Sequence, residues 1–388
     1  MKKSVSCVLI TLLLGSSSLH RAALAQSRPR ARDLGVPFDG TPGPWNAITD
    51  VGEVEVGHTT LIQGEGDLKV GDGPVRTGVT VILPRGKRSR DPVFAGWFAL
   101  NGNGEMTGTT WVEESGFMEG PMAITNTHSV GTVRDAIISW QVRNGFLFQP
   151  WSLPVVAETY DGYLNDINGF HVKSQHVVAA LQGAAAGAVA EGSVGGGTGM
   201  ICYEFKGGIG TASRKLEPEA GGHTVGVLVQ ANFGRRDLLR IGGAPVGLEM
   251  REGLVWIRPD EQAGGSIIIV VATDAPLLPH QLKRLARRAS LGVARTGSTS
   301  SNFSGDIFIA FSTANARVAG AEDTVPVKMV PNSRLNPIFQ ATVESTEEAI
   351  VNALVAAETM TGVDGHRVLS LPHERLRQVL KKYNRLLN

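Results

Sequence analysis

The chain has 388 residues, 42% of them hydrophobic and 19% charged, with a formal net charge of +1. That length and balance suit a globular protein with a large core and exclude a disordered chain. So even a charge offers no basic footprint for nucleic acid or an anionic membrane, and no nucleic-acid partner is expected.

Residues 1–25 read as a secretory signal peptide. Lys2 and Lys3 form a positive start, Val5 to Leu14 an apolar run, and Ala23-Leu24-Ala25 a small-x-small cleavage site before Gln26. The apolar run is too short to span a bilayer, which argues against a membrane anchor. The expected location is therefore periplasmic, with no membrane association after removal of the signal. Removal takes away three cations and no acid, so the net charge of +1 becomes −2. It also takes Cys7 and leaves Cys202 alone, so neither an internal disulfide nor a multi-cysteine metal site can form. No cofactor is expected.

Residues 26–45 carry Pro29, Pro37, Pro42 and Pro44 and read as an extended arm. Val51-Gly-Glu-Val-Glu-Val-Gly alternates as a half-exposed strand does, and Val79–Leu83 and Val93–Leu100 are further strand runs. Thr132, followed three residues later by Asp135, predicts a helix over 132–142 with Val133, Ile137 and Trp140 on one face. An Ala-rich helix is predicted over 177–190. Glycine-rich stretches at 192–210 and 221–226 flank the strand Val225–Val229. Glycine is abundant throughout, 48 residues without a period, as tight turns and close backbone approaches require.

Arg251–Gly265 mixes charges, Pro259 and a glycine pair, and reads as an exposed loop. Ile267-Ile-Ile-Val-Val-Ala follows at once as a buried strand, ended by Asp274 and Pro276. Pro279 opens a helix with Leu282, Leu285, Ala286 and Ala289 at helical spacing. Ile307–Phe311 is another strand. Ser345 and Thr346 are expected to cap a helix burying Ala349, Ile350, Ala353, Leu354 and Ala357. A basic amphipathic helix is expected over 373–387, its Arg375, Arg377, Lys381, Lys382 and Arg385 solvated. Strands and helices mix without a βαβ rhythm, so the expected class is a layered α+β fold.

Gly264-Gly265-Ser266 joins a flexible pair to a hydroxyl at the first position of a rigid strand. The glycines can adopt backbone angles that let the Ser266 oxygen attack the Gly265 carbonyl. Hydrolysis of the resulting ester frees the Ser266 amine. An α-amino group has a pKa of about 7.7–8.0, near enough to neutrality to act as a base. Nucleophile and base then belong to one residue. An ordinary turn produces the same three residues, so the surroundings matter. Ser304-Gly305-Asp306 again precedes a strand, with a hydroxyl and a carboxylate two residues apart on one side of an extended segment. A carboxylate near an amine would hold a proton relay in place.

Several stretches together resemble a known family. They are Trp45-Asn-Ala-Ile-Thr-Asp-Val, Val54-Glu-Val-Gly-His, Asn126-Thr-His-Ser-Val-Gly, Val156-Ala-Glu-Thr-Tyr-Asp-Gly, Gly195-Gly-Gly-Thr-Gly-Met, Val229-Gln-Ala-Asn-Phe-Gly, Gly265-Ser-Ile-Ile, Ala272-Thr-Asp-Ala-Pro-Leu and Ile309-Ala-Phe-Ser-Thr-Ala-Asn. The chain resembles, from about Asp33 to Met360, the self-processing serine aminopeptidases that include the L-aminopeptidase/D-Ala-esterase/amidase and the β-peptidyl aminopeptidases. The resemblance implies a four-layer αββα sandwich similar to the N-terminal-nucleophile hydrolases but differently connected. It implies a precursor cut after Gly265 into an α chain, 26–265, and a β chain, 266–388, that stay together as one catalytic domain. It further implies tetramers of such pairs.

The family's nucleophile falls on Ser266, and its supporting hydroxyl and acid on Ser304 and Asp306. Some members carry Glu at the latter position, one methylene longer. Asn232 matches the oxyanion-hole donor and Tyr160 a pocket tyrosine. Glu158, two residues before Tyr160 on a strand, is suited to bind a substrate ammonium. The expected reaction is hydrolysis of the amide after a free N-terminal residue of short peptides, amides or esters, by a β-peptidyl or a D-/L-aminopeptidase. Two alternatives stand beside it. One is an acyltransferase resembling ornithine acetyltransferase, whose nucleophile is Thr. The other is a non-enzymatic periplasmic binding protein, which needs no processing.

Other features carry less. The histidines show no metal-ligand spacing, and His58 and His128 read as structural. Gly102-Asn-Gly-Glu-Met-Thr-Gly-Thr lacks the ending of a phosphate loop, and Gly195-Gly-Gly-Thr-Gly lacks dinucleotide spacing. Trp111 and Phe117 are suited to a pocket wall or to the core alike.

Overall fold

The computed structural model describes residues 29–255 and 265–387. The signal-peptide reading and most of the 251–265 loop, Gly264 included, lie outside those residues. In chain order the elements are β1 (Glu55–Gln63), β2 (Val75–Leu83), β3 (Val93–Ala99), α1 (Thr109–Ser115), β4 (Phe117–Met118), β5 (Met122–Asn126), α2 (Val130–Asn144), β6 (Val156–Thr159), α3 (Ser174–Gly183), β7 (Ile201–Cys202), β8 (Phe205–Lys206), β9 (Gly208–Lys215) and β10 (Thr224–Asn232). There follow α4 (Val246–Glu249), β11 (Ser266–Thr273), α5 (Pro279–Arg295), β12 (Ile307–Ser312), α6 (Asn336–Ala356), β13 (Met360–Thr361), β14 (Arg367–Val368) and α7 (His373–Lys382).

Two sheets stack face to face. The smaller runs β1-β2-β5-β6 and the larger β4-β3-β12-β11-β10-β9. All ladders are antiparallel except β5–β6 and β11–β12. Between the sheets lies a core of Ile82, Ile124, Ala157, Leu228, Ile268, Val270 and Ile309. The outer face of the small sheet packs Val79, Val81 and Ala123 against Val133 and Ile137 of α2 and Val177 and Leu181 of α3. The outer face of the large sheet packs Val227, Val229, Ile269 and Val271 against Leu282 and Leu285 of α5 and Ile350 and Leu354 of α6. Residues alternate between two apolar layers along each central strand, so β2 and β11 are buried along their whole length. This is the expected four-layer αββα sandwich. No helix of the described residues is long and apolar enough to cross a membrane.

Several boundaries differ from the sequence reading, each for a local reason. The first strand begins at Glu55 and not Val51, because Glu53 turns the chain at φ 73°. The helix expected from Thr132 starts at Val130, leaving Thr132 inside it. The Ala-rich helix stops at Gly183, because Ala185 exchanges two backbone hydrogen bonds with Val56 at 3.0 Å each. The helix assigned a cap at Ser345-Thr346 starts nine residues earlier, at Asn336-Pro337. Thr346 lies buried inside it, its hydroxyl donating to the Thr342 carbonyl at 2.7 Å. The final helix ends at Lys382.

The described part of the 26–45 arm is tied down. Arg30 pairs with Glu191 at 2.7 Å and Arg32 with Glu348 at 2.8 Å. Between them the buried Ala31 amide donates to Asn352 Oδ1 at 3.0 Å.

Candidate active site

Strand register assembles the site at one end of the large sheet. Ser266 opens β11 and stands opposite Asn232, the last residue of β10. On the other side β12 runs parallel to β11, with Ile307 beside Ile268. Continuing that register backwards sets Asp306 beside Ile267 and Gly305 beside Ser266. The hydrogen bonds agree. The Gly305 amide donates to Ser266 Oγ at 3.0 Å, and the Ile267 amide donates to Asp306 Oδ1 at 3.1 Å. Ser266, Asn232, Ser304 and Asp306 are all buried.

Gly265 sits where no side chain fits. A Cβ there would lie 2.7 Å from the Asn232 carbonyl oxygen and 2.7 Å from Phe233 Cα. The residue before Ser266 is thus pressed against the end of β10, at Asn232 and Phe233.

Asn232 is fixed at both ends of its amide. Oδ1 accepts from the Ile201 amide at 2.7 Å, and Nδ2 donates to the Tyr160 carbonyl at 2.9 Å. One N–H of Nδ2 stays unspent among the described residues. That suits a donor aimed at charge developing beside Ser266.

Glu158 on β6 is buried although charged by type. Its Oε1 accepts from the Glu105 amide at 3.0 Å, and its Oε2 from the Thr127 hydroxyl. Burial pushes its carboxyl up, and those two donors pull it back toward the charged form. Glu158, Thr127, Tyr160, Phe303 and Gly104 share one recess with Ser266. Tyr160, just past β6, is partly exposed, and burial of its ring raises its hydroxyl pKa.

The structure brings Ser266, Asn232, Tyr160, Glu158, Ser304 and Asp306 to this one end of the sandwich. They do not all touch. Ser304 Oγ lies 3.1 Å from Ser301 Oγ and faces a second recess with Asn232 and Gly265. Asp306 turns into the β11 backbone, and burial raises its carboxyl to about 6. Among the described residues, no hydrogen bond joins the Ser304 and Asp306 side chains. Among the described residues, the hydrogen bond that joins their segment to Ser266 comes from the backbone of Gly305.

Some participants were not singled out in the sequence. Asn101 Oδ1 accepts from the Asp306 amide at 2.7 Å, and the Asn103 amide donates to the Ser304 carbonyl at 3.2 Å. Asn103, in the glycine-rich stretch that lacks a phosphate-loop ending, and Asn101 just before it hold 304–306. Thr127 stands in the quoted Asn126-Thr-His stretch, which was the available signal. Trp111 and Phe117 face away, the indole donating to Glu119 at 2.8 Å and Phe117 stacking on Phe94 at 4.7 Å. His58 is structural, bonded to Thr80 Oγ1 at 3.0 Å and lowered to about 4 by burial. His128 stacks on Phe170. Cys202 is free and buried.

Comparison with known proteins gives a consistent placement. Residues 46–368 match peptidase family S58. The β-peptidyl aminopeptidase BapA of Sphingosinicella microcystinivorans is 58% identical over 386 residues, covering 96% of this chain and 97% of that one. BapA of Sphingosinicella xenopeptidilytica is 50% identical over 387 residues, 96% and 95% of the two chains. Among solved structures, the L-aminopeptidase D-Ala-esterase/amidase of Ochrobactrum anthropi, described as a variant of the Ntn hydrolase fold, superposes with a TM-score of 0.86. It is 52% identical, covering 92% of this chain and all (100%) of that one. The chain belongs to peptidase family S58 and is a serine aminopeptidase.

Proposed function

We propose that this chain cuts itself between Gly265 and Ser266, and that the freed Ser266 is the nucleophile of a β-peptidyl aminopeptidase. The observation that carries the reading is the placement of Gly265-Ser266. The Ser266 hydroxyl is already held by the Gly305 amide, and the preceding residue is pressed against Asn232. In the cut, Ser266 Oγ bonds to the Gly265 carbonyl carbon, the amide C–N bond breaks, and the Ser266 nitrogen takes the proton. Water then hydrolyses the ester, leaving a Gly265 carboxylate and a Ser266 amine. Chains 26–265 and 266–388 stay joined, because β11 and β12 lie between β10 and β3 in one sheet.

In turnover the Ser266 amine takes the hydroxyl proton as Oγ attacks the substrate carbonyl. Asn232 donates to the oxyanion. Glu158 holds the substrate ammonium, which restricts attack to the bond after a free N-terminal residue. The amine returns its proton to the leaving nitrogen, and water releases the acyl group. The preference for β-residues is supported by the two BapA relatives. We place the enzyme in the periplasm, after loss of a signal peptide, as a tetramer of α/β pairs.

Ser266→Ala tests the proposal: it should yield one uncut, inactive chain by intact mass, where the wild type yields two. Two fragments from that variant would sink the reading. Hydrolysis of β-homo-amino-acid amides beside D- and L-alanine amides tests the β-preference, which fails if the α-residues are turned over faster.

A further inference from the structure

Gly265 and Ser266 line two different recesses that share Tyr160. The first holds Ser266 with Glu158 and Glu105, and no cation lines it among the described residues. The second lies on the Gly265 side. Its walls include Tyr163, Ile201 and Leu238, and hydroxyls of Thr299 and Ser301 stand along it. The one charged side chain in its lining, among the described residues, is Arg235. We propose that this second recess is the subsite for the residue released by hydrolysis, and that Arg235 receives the free carboxylate of a short peptide.

This rests on the aminopeptidase reading and follows from its geometry. A substrate with its ammonium on Glu158 and its carbonyl between Ser266 and Asn232 has used the first recess. The chain beyond the scissile bond has to leave by the other side. Gly265, whose carbonyl is bonded to the Ser266 nitrogen, lines that side. The amine that returns a proton to the leaving nitrogen therefore faces the leaving group. The charges of the two recesses are opposite, acidic where the ammonium sits and basic beyond the scissile bond. A dipeptide zwitterion has that polarity.

Arg235 is posed for such a role. Its Nε and Nη2 are held by Asp237 at 3.2 and 3.3 Å, and Nη1 has no hydrogen-bond partner among the described residues. Its side chain is 50% exposed, so substitutions there leave the core alone. A carboxylate can bond Nη1 and the adjacent hydroxyls while Asp237 keeps the guanidinium in place.

The test uses the processed enzyme and three substrates with one N-terminal residue: a dipeptide, its C-terminal carboxamide, and the amino-acid amide that releases only ammonia. In Arg235→Ala the ratio of kcat/KM for the dipeptide over its carboxamide should fall about tenfold, the scale of a half-exposed charge-assisted bond. Arg235→Lys should restore part of the ratio. Thr299→Trp, at an exposed position, should narrow the recess and lower the ratio of dipeptide to amino-acid amide. Unchanged ratios in an active enzyme overturn the subsite alone. A wild type inert on all three substrates removes the aminopeptidase reading and the subsite with it.

Discussion

Glu158→Gln isolates the contact proposed to hold the substrate ammonium. Glu158 is 4% exposed, and both of its carboxyl oxygens already accept hydrogen bonds. Glutamine keeps an oxygen for the Glu105 amide. Its NH2 replaces the oxygen facing Thr127, whose hydroxyl can rotate to accept. The fold should therefore tolerate the change, with a melting temperature close to that of the wild type. The substrate ammonium fares differently. Burial raises the Glu158 carboxyl, and an incoming ammonium pulls it back to the ionised state. The amide offers no such partner and presents N–H to N–H. Truncating one member of a buried charge pair costs about 2–5 kcal/mol. Taking about 3 kcal/mol, kcat/KM on an amino-acid amide should drop on the order of 100-fold. The assay compares wild type and variant on the free-amine amide. A kcat/KM within about threefold of wild type (well under 1 kcal/mol), from a variant that folds normally, refutes Glu158 as the ammonium site.

Two further outcomes follow from the same end of the sheet. Asn232→Ala should lower kcat about 100- to 1000-fold through loss of the oxyanion donor. It should also lower thermal stability, because the Ile201 amide loses its acceptor; unchanged kcat would remove Asn232 from the chemistry. Asp306 has a folded pKa of about 6 against an ordinary 3.8. Stability from this group is full below the unfolded value and is lost as pH rises through 6, by about 3 kcal/mol. Asp306→Asn, placed in the uncut Ser266→Ala chain, should therefore gain on its parent between pH 4 and 7 in denaturant unfolding. Parallel stability curves for the two would show that the buried carboxyl carries no such penalty.

The central strands were legible because they are buried on both faces. Ile267-Ile-Ile-Val-Val-Ala admits hardly any other reading, and the observed β11 exceeds it by one residue at each end. Helix starts were less legible. Ser345-Thr346 has the composition of a cap, yet the helix runs through it, because α6 is wedged between the large sheet, α5 and the N-terminal arm. Its buried Glu348 is matched by Arg32 and Arg214 at 2.8 Å each, partners more than a hundred residues away. No local pattern announces such pairs.

The same division runs through the site. The glycine pair ahead of a rigid apolar strand made Ser266 a candidate that an ordinary turn also explains, and the family resemblance singled it out. The sequence also marked Ser304 and Asp306 as a pair before another strand. What it could not contain was the register. Parallel pairing of β11 with β12 places the Gly305 amide, and neither the Ser304 hydroxyl nor the Asp306 carboxylate, against the Ser266 oxygen. It also turns Asp306 into the backbone next to Ser266, at the Ile267 amide. Likewise the sequence offered Glu158 as an ammonium partner but not its burial beside Ser266, which packing of 103–105 and Thr127 supplies. Hydrogen-bond register and burial depend on which strands meet, and that is settled only when distant segments share one sheet.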